Sequence, residues 1–149
     1  MAAAALRCRP LMRLPIVVYR AGLGFVFGSR LLLLEHMGRR THRARHVVVE
    51  VIEHSDAGTY VIASGFGTGA QWFRNVMTDP RVKVSTGCRR AVPAIARRLP
   101  VAEADAVLQR YIDAHPAAWE SLAGVLDHTL DGRVQPPGTD LPMIELTVQ

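Results

Sequence analysis

Residues 31–53 have the sequence LLLLEHM-GRRTHRA-RHVVVEVIE, in which two apolar segments flank a basic one. The short apolar run Leu31 to Met37 is typical of a buried strand. Arg45 to Glu53 is rich in β-branched residues that partly alternate with polar ones, which indicates a second strand. The polar segment between them, residues 38–44, has the length of a hairpin loop. This stretch therefore predicts an antiparallel pair of strands.

The rest of the chain continues the pattern of short strands and adds helices. A helix is predicted to start at Thr68, with Gln71 as its capping-box partner, and to end near Asp79. Two more helices are predicted after Pro100 and Pro116. Most connections are too short for parallel crossovers, so we expect an α+β fold, mainly β, with about six antiparallel strands in a barrel-like sheet and helices packed on it. The further strands are predicted at Tyr60–Ser64, Arg81–Ser85, Cys88–Arg97 and Pro142–Val148.

The length of the chain and the distribution of its charge limit the classes of function that it can have. The 149 residues suit one domain, residues 1–149, and 49% of them are apolar, which is enough for a core. Residues 1–49 hold nine arginines and one acid, Glu35, whereas the remaining hundred residues carry a net charge of −3. Such an asymmetric positive field favours an anionic partner.

The N-terminal segment predicts a basic amphipathic helix at about residues 10–27 that covers the core. Contact of this helix with an anionic membrane surface is an alternative, which would make a cytoplasmic protein membrane-associated. Cys8 and Cys88 form neither a disulfide framework nor a zinc pattern, and the histidines do not lie at metal-binding spacing. We therefore predict no metal site and a reducing, cytoplasmic location.

The first candidate site is the segment of residues 38–45, here named the arginine loop. It places the guanidinium groups of Arg39, Arg40, Arg43 and Arg45 and the hydroxyl of Thr41 close together. Like charges at this density repel one another unless an anion is bound, and phosphate suits arginine forks, a hydroxyl and loop amides. The alternative is a basic turn that is simply solvated.

The second candidate is the glycine-rich segment of residues 63–69, Ala-Ser-Gly-Phe-Gly-Thr-Gly, which follows a strand and precedes a helix. Glycines there let the backbone approach a planar ligand closely, although an ordinary strand-to-helix loop has the same composition. Trp72 and Asn75 lie three residues apart on one helical face beyond it. Core packing of Trp72 and a bracing role for Asn75 are the alternatives.

The third candidate is a set of side chains that repeats every four residues, Tyr111, His115 and Trp119. They are predicted to line a pocket for an aromatic substrate, with core packing as the alternative for Trp119. No nucleophile triad is predicted, because Ile62 stands where a G-x-S-x-G motif around Ser64 would need glycine.

The order and spacing of these segments resemble the deazaflavin-dependent nitroreductase family, small reductases that use coenzyme F420. The matching blocks are residues 34–41 continuing to Arg45, residues 60–64 with the glycine loop, residues 72–75 and residues 79–84. Each block alone is ordinary, but together they extend over residues 31–99 in the family's order.

The resemblance implies a split β-barrel and a reaction in which reduced F420 gives a hydride to a small electron-poor molecule such as a quinone, an enone or a nitroarene. The arginine loop would take the cofactor phosphate and acidic tail. Ser64 would also hydrogen-bond the substrate and stabilise developing negative charge, and Tyr111 is a weaker candidate for proton delivery. The cofactor-binding residues that the resemblance implies are Arg39, Arg40, Thr41, Arg45, Val47, Val48, Ala63, Ser64, Gly65, Trp72 and Asn75.

Three departures from the family pattern stand out. His42 occupies a position that is usually glycine, so we expect it in a left-handed conformation, which histidine tolerates better than most residues. Gly65 stands where some members have lysine. The pocket tyrosines of the nitroreducing members are not matched around residues 115–121, so nitroimidazole activation is not implied.

Other functions compete with this interpretation. Residues 65–70 fit G-x-G-x-x-A, and Arg89 and Arg90 suit a 2′-phosphate, as in a Rossmann-like NADP-dependent reductase, but the helix is short and the strands before it form hairpins. A flavin binder that holds FMN on the same barrel is a further alternative. Nucleic-acid binding through the arginine loop ranks last because no aromatic residue lies in it. A monomer and a dimer are left open.

Overall fold

The computed structural model describes residues 31–56, 58–86 and 89–149. The helix expected at about residues 10–27 and both cysteines lie outside the described residues. None of the helices in the described part of the chain has the length and apolar character needed to span a bilayer. The strands are β1 (Leu31–Met37), β2 (Ala44–Asp56), β3 (Thr59–Ala63), β4 (Arg81–Thr86), β5 (Arg89–Arg98) and β6 (Met143–Val148). The helices are α1 (Gln71–Thr78), α2 (Val101–Ala114) and α3 (Pro116–Thr129).

The strands form a closed barrel in the order β1-β2-β3-β6-β5-β4, and every neighbouring pair is antiparallel. The predicted hairpin is present, with Leu34 opposite Val47 and Met37 opposite Ala44. The antiparallel, mainly β fold is therefore confirmed. The Rossmann alternative is wrong, because β4, the strand after α1, pairs antiparallel with β1 and not parallel with β3.

Strand β2 contributes side chains to two separate apolar cores. Val49 and Val51 point into the barrel, whereas Ile52 belongs to a second cluster between the barrel wall and helices α2 and α3. Both faces of β2 are thus covered, which explains why apolar residues outnumber polar ones along it. The second cluster also contains Leu108 and Leu126, one from each covering helix.

Helix α1 packs against the barrel core through Phe73 and Val76. The predicted start at Thr68 is wrong: residues 67–69 form a 3₁₀ turn, and Ala70 precedes the helix with no side-chain cap. Glycines at 67 and 69 weaken the helix there, and Gly67 adopts a φ of +77° that ends regular structure. The connection between β3 and α1 is therefore longer than the capping motif at Thr68 predicts.

The arginine loop is closed by backbone hydrogen bonds. Gly38 N donates to Arg43 O at 2.9 Å, and His42 N donates to Gly38 O at 2.8 Å. A side chain at Gly38 would put Cβ 2.5 Å from Thr41 Oγ1 and 3.3 Å from Arg43 O, so the side chain of Thr41 would have to move to make room for it. His42 has a φ of +57°, as expected for a residue that replaces glycine.

We expect His42→Gly to stabilise the protein. Glycine adopts the left-handed conformation without strain, and this stabilises the folded state by more than the greater flexibility of glycine stabilises the unfolded chain. The free energy of unfolding should therefore rise by about 0.5–1 kcal/mol. This corresponds to a rise of roughly 2 °C in Tm by thermal unfolding followed by circular dichroism. His42→Val, which is β-branched, should lower Tm, and a lower Tm for the glycine variant would show that the left-handed turn carries no strain.

Candidate functional site

A cavity of about 820 Å³ lies between the arginine loop and α1 and is named here the arginine cavity. The β1–β2 hairpin brings the loop to this place, and α1 supplies the opposite wall. Seven of the predicted cofactor-binding residues line it, namely Arg39, Arg40, Thr41, Arg45, Val47, Trp72 and Asn75.

Arg39 is fixed to α1 by three hydrogen bonds. Its backbone N and Nη1 both donate to Asn75 Oδ1, at 3.1 and 2.8 Å, and Nη2 donates to Gln71 Oε1 at 2.8 Å. Reduced contact with water lowers the pKa of Arg39, and the charges of Arg74 and Arg40 lower it further. The group remains charged at neutral pH, because an arginine does not lose its proton in proteins.

Arg40, Arg43 and Arg45 are exposed, and none of them forms an ion pair with another described residue. Arg40 and Arg45 line the arginine cavity, whereas Arg43 does not. The cavity therefore has uncompensated positive charge, and an anion with several oxygens would satisfy it.

Asn75 is the buried centre of the cavity wall, with 6% of its surface exposed. Besides accepting from Arg39, it donates through Nδ2 to His36 Nδ1 at 3.1 Å. Burial lowers the pKa of His36, and the charges of His46 and Arg45 add to the effect. Asn75 thus ties the arginine loop, β1 and α1 together.

A second cavity of about 350 Å³, here named the apolar cavity, lies beside the first. Val47 and Trp72 line both cavities, so the two spaces adjoin at these side chains. Phe66, 65% exposed, lies at the apolar cavity, and Leu122 and Leu126 of α3 form part of its wall. The predicted residues Val48, Ala63 and Gly65 also line this cavity.

Ser64 lines neither cavity. Only 1% of its surface is exposed, and Oγ donates to Gly67 O at 2.6 Å. Its backbone N donates to Pro142 O. These bonds give Ser64 a bracing role in the glycine loop, and the predicted catalytic hydrogen bond to substrate has no support in this geometry.

The helical set also lines neither cavity. Trp119 of α3 packs in the core between the helices and the barrel wall. His115 is an exposed residue between α2 and α3, and its ring centroid lies 5.3 Å from that of Tyr111. Tyr111 reaches the site indirectly, because its hydroxyl donates at 3.2 Å to Glu50 Oε1, and Glu50 lines the apolar cavity. Direct substrate contact by these three residues stays a prediction.

Sequence reasoning missed three residues of the site: His36, Glu50 and Gln71. His36 continues the inward alternation of Leu32 and Leu34 on β1, so a period of two could have placed it inside the barrel. Glu50 is an acid within an apolar strand and could have been found on that ground. The sequence predicts Gln71 as the capping partner of Thr68, which gives no indication of a place at the site. Within the described residues, no three metal-ligating side chains converge.

A model of the F420H2-dependent quinone reductase family matches residues 12–135. The chain belongs to this family. The enzyme is thus an F420H2-dependent oxidoreductase with reduced F420 as its cofactor, which confirms the resemblance to F420-dependent reductases. The family is named for the reduction of quinones.

Solved structures show the same fold, a split β-barrel. An F420-H2 dependent reductase is 21% identical, with 78% of this chain and 92% of that chain covered and a TM-score of 0.54. A protein solved as a domain-swapped dimer is 20% identical, with 78% of each chain covered and a TM-score of 0.56. HutZ, the heme storage protein from Vibrio cholerae, is 13% identical, with 85% and 86% covered and a TM-score of 0.56. Curated protein sequences give no match.

The cavities of this F420H2-dependent oxidoreductase fit its cofactor. The arginine cavity offers guanidinium groups without carboxylate partners, which suits a phosphate and an acidic tail. The adjoining apolar cavity suits a planar ring and an apolar substrate, because few polar groups line it.

Replacing Asn75 by leucine should destabilise the enzyme by about 1–3 kcal/mol, because two donors of Arg39 and the acceptor of His36 lose their partner. Chemical unfolding monitored by tryptophan fluorescence measures this change. Arg74→Ala, on the exposed side of the same helix, is the matched control and should change stability little. Equal stability of Asn75→Leu and the parent would show that the network does not hold the loop.

Proposed function

We propose that the enzyme transfers a hydride from reduced F420 to a quinone, with the cofactor's phosphate and acidic tail in the arginine cavity and its ring at the junction with the apolar cavity. The observation that carries this proposal is the shared wall of Val47 and Trp72 between a cationic and an apolar space. A molecule with an anionic end and a flat apolar end matches this arrangement.

The arginines would bind the anionic end in two ways. Arg39 is held by Asn75 and Gln71, so it presents its remaining N–H groups in a fixed orientation and loses little entropy on binding. Arg40 and Arg45 are exposed and line the same cavity, so they can close on the anion from the loop side. Thr41 contributes a hydroxyl beside them.

The apolar cavity would receive the quinone and exclude water from it. When bound, the reduced deazaflavin supplies a hydride, which brings two electrons to the substrate. A quinone that accepts this hydride needs one more proton to become a hydroquinone. The protein must therefore provide a proton at the apolar cavity or let water in.

Glu50 is the one ionisable side chain among the described residues that line the apolar cavity. We assign to its carboxyl group the proton that completes the hydroquinone, with the proton then replaced from solvent. The Tyr111 hydroxyl, 3.2 Å from Glu50 Oε1, orients this carboxyl group. Tyr111 would then take part in proton delivery through Glu50 and not by direct contact.

Arg45→Ala should weaken F420 binding about tenfold or more, because a charge-assisted hydrogen bond contributes about 1.5–3 kcal/mol. Fluorescence titration of the purified protein with F420, and with FMN for comparison, measures the dissociation constant. Arg43→Ala removes the same charge from the same loop but not from the cavity, and should change binding less than about threefold at physiological salt.

Equal weakening by the two substitutions would mean that F420 senses only the overall charge, and no weakening by Arg45→Ala would contradict the assigned site. Tighter binding of FMN than of F420 would favour a flavin cofactor.

Glu50→Gln should lower kcat with a quinone about 10²-fold or more, because a general acid contributes roughly 10²–10⁴, while F420 affinity stays unchanged. Steady-state assays follow F420H2 oxidation with a quinone, an enone and a nitroarene as acceptors. Because a general acid must be protonated to act, kcat of the parent should fall as the pH rises and Glu50 loses its proton, and this fall should be absent in the variant. Unchanged kcat would exclude Glu50 as the proton source.

A further inference from the structure

His36 lies on the inner face of β1 at the end of the barrel nearest the arginine cavity, which it lines. Its neighbour across the hairpin is Arg45, and only 5% of its surface is exposed. A buried imidazole in the wall of an anion-binding cavity has to satisfy both ring nitrogens.

The bonds of Asn75 determine which nitrogen of His36 carries the proton. Asn75 Oδ1 accepts two hydrogen bonds from Arg39, so this atom is the oxygen and the amide group is not reversed. The amide nitrogen therefore faces His36 Nδ1 at 3.1 Å. Because an NH₂ group only donates, Nδ1 must accept, and the neutral imidazole carries its proton on Nε2.

The second ring nitrogen, Nε2, is assigned to the arginine cavity by elimination. His36 makes no second hydrogen bond with the described residues, and within that part of the chain no fully buried side-chain nitrogen or oxygen lacks a partner. Nε2 must then retain accessible surface, and the arginine cavity is the space that His36 lines.

We propose that His36 is a cofactor-binding residue that donates from Nε2–H to an anionic oxygen in the arginine cavity, as a neutral imidazole whose tautomer Asn75 fixes. This proposal rests on the proposed function, since it assumes that the cofactor's anionic end occupies this cavity. The donor is directional, so it selects an oxygen at one position, which the exposed side chains of Arg40 and Arg45 do not.

The surroundings of His36 keep it neutral. The groups near His36 on β2 are Arg45 and His46, and the arginine loop contributes Arg39. Helix α1 contributes only uncharged side chains, Asn75 and Gln71. Burial is the largest cause of its lowered pKa, and the charges of His46 and Arg45 follow. A neutral donor adds a hydrogen bond to this crowded cationic site without adding to its repulsion.

The tautomer can be read directly in the ligand-free full-length protein by ¹⁵N NMR of labelled histidines. We expect a pyridine-like shift for Nδ1 of His36 and a pyrrole-like shift for Nε2, and a change at Nε2–H on addition of F420. The exposed residues His115 and His128 serve as internal controls that should not respond. A pyrrole-like Nδ1, or an Nε2–H signal that F420 at saturation leaves unchanged, would overturn the proposal.

Two substitutions separate the roles of the two ring nitrogens. His36→Asn keeps an acceptor toward Asn75 but removes the cavity donor, so F420 binding should weaken about tenfold while Tm changes little. His36→Gln places an amide nitrogen near the Nε2 position and should recover most of the affinity. Parent-like F420 binding by His36→Asn would refute the role of His36 and leave the proposed function intact, whereas a parent protein that does not bind F420 would refute the proposed function itself.

Discussion

The site depends on one interaction, the pair of hydrogen bonds that Asn75 Oδ1 accepts from Arg39. These bonds connect a loop between two strands with a helix 36 residues away in sequence, and both residues line the arginine cavity. Four cationic side chains in one short loop would otherwise spread apart to reduce repulsion. Because the bond to the backbone N of Arg39 fixes the main chain as well as the guanidinium, the loop keeps its shape before any anion arrives. Both polar atoms of the Asn75 side chain form hydrogen bonds, because Nδ2 donates to His36 Nδ1 while Oδ1 accepts from Arg39.

Strand β2 relates the two cavities to each other. Its side chains alternate between the barrel interior and the face covered by α2 and α3, and at Val47 the strand reaches the boundary between the cationic and the apolar space. Arg45 lies two residues before this boundary and Glu50 three residues after it. A strand rises about 3.3 Å per residue, so Arg45 and Glu50 lie roughly 16 Å apart along β2. The order of chemistry along the strand therefore matches the order expected along a bound cofactor and its substrate.

Much of this arrangement could be predicted from the sequence, and the reasons differ from element to element. The hairpin of β1 and β2 was predictable because apolar runs flank a polar loop, and the left-handed His42 because the family pattern has glycine there. The start of α1 could not be predicted in this way. The capping motif at Thr68 is a local signal, and the glycines on both sides of Thr68 disfavour a helix there more strongly than the motif favours one. The family resemblance predicts Ser64 beside the cofactor ring and the substrate, but its hydroxyl donates to Gly67 O within its own loop, and no sequence motif signals this bond. His36 was overlooked because a single histidine in an apolar strand carries no motif, and its role arises from a contact with a distant helix.

The walls of the arginine cavity come from segments that are joined only when the barrel closes. Strand β1 pairs with both β2 and β4, and α1 connects β3 with β4, so the hairpin and the helix that line the cavity are held together in the closed barrel. A ligand that binds only the closed form shifts the folding equilibrium by mass action, by about 2.7 kcal/mol at a hundredfold excess over its dissociation constant. Repulsion among the arginines destabilises the barrel when no anion is bound, and a bound anion relieves this repulsion. The empty barrel is therefore the less stable form of the enzyme, and its free energy of unfolding should rise with the concentration of F420.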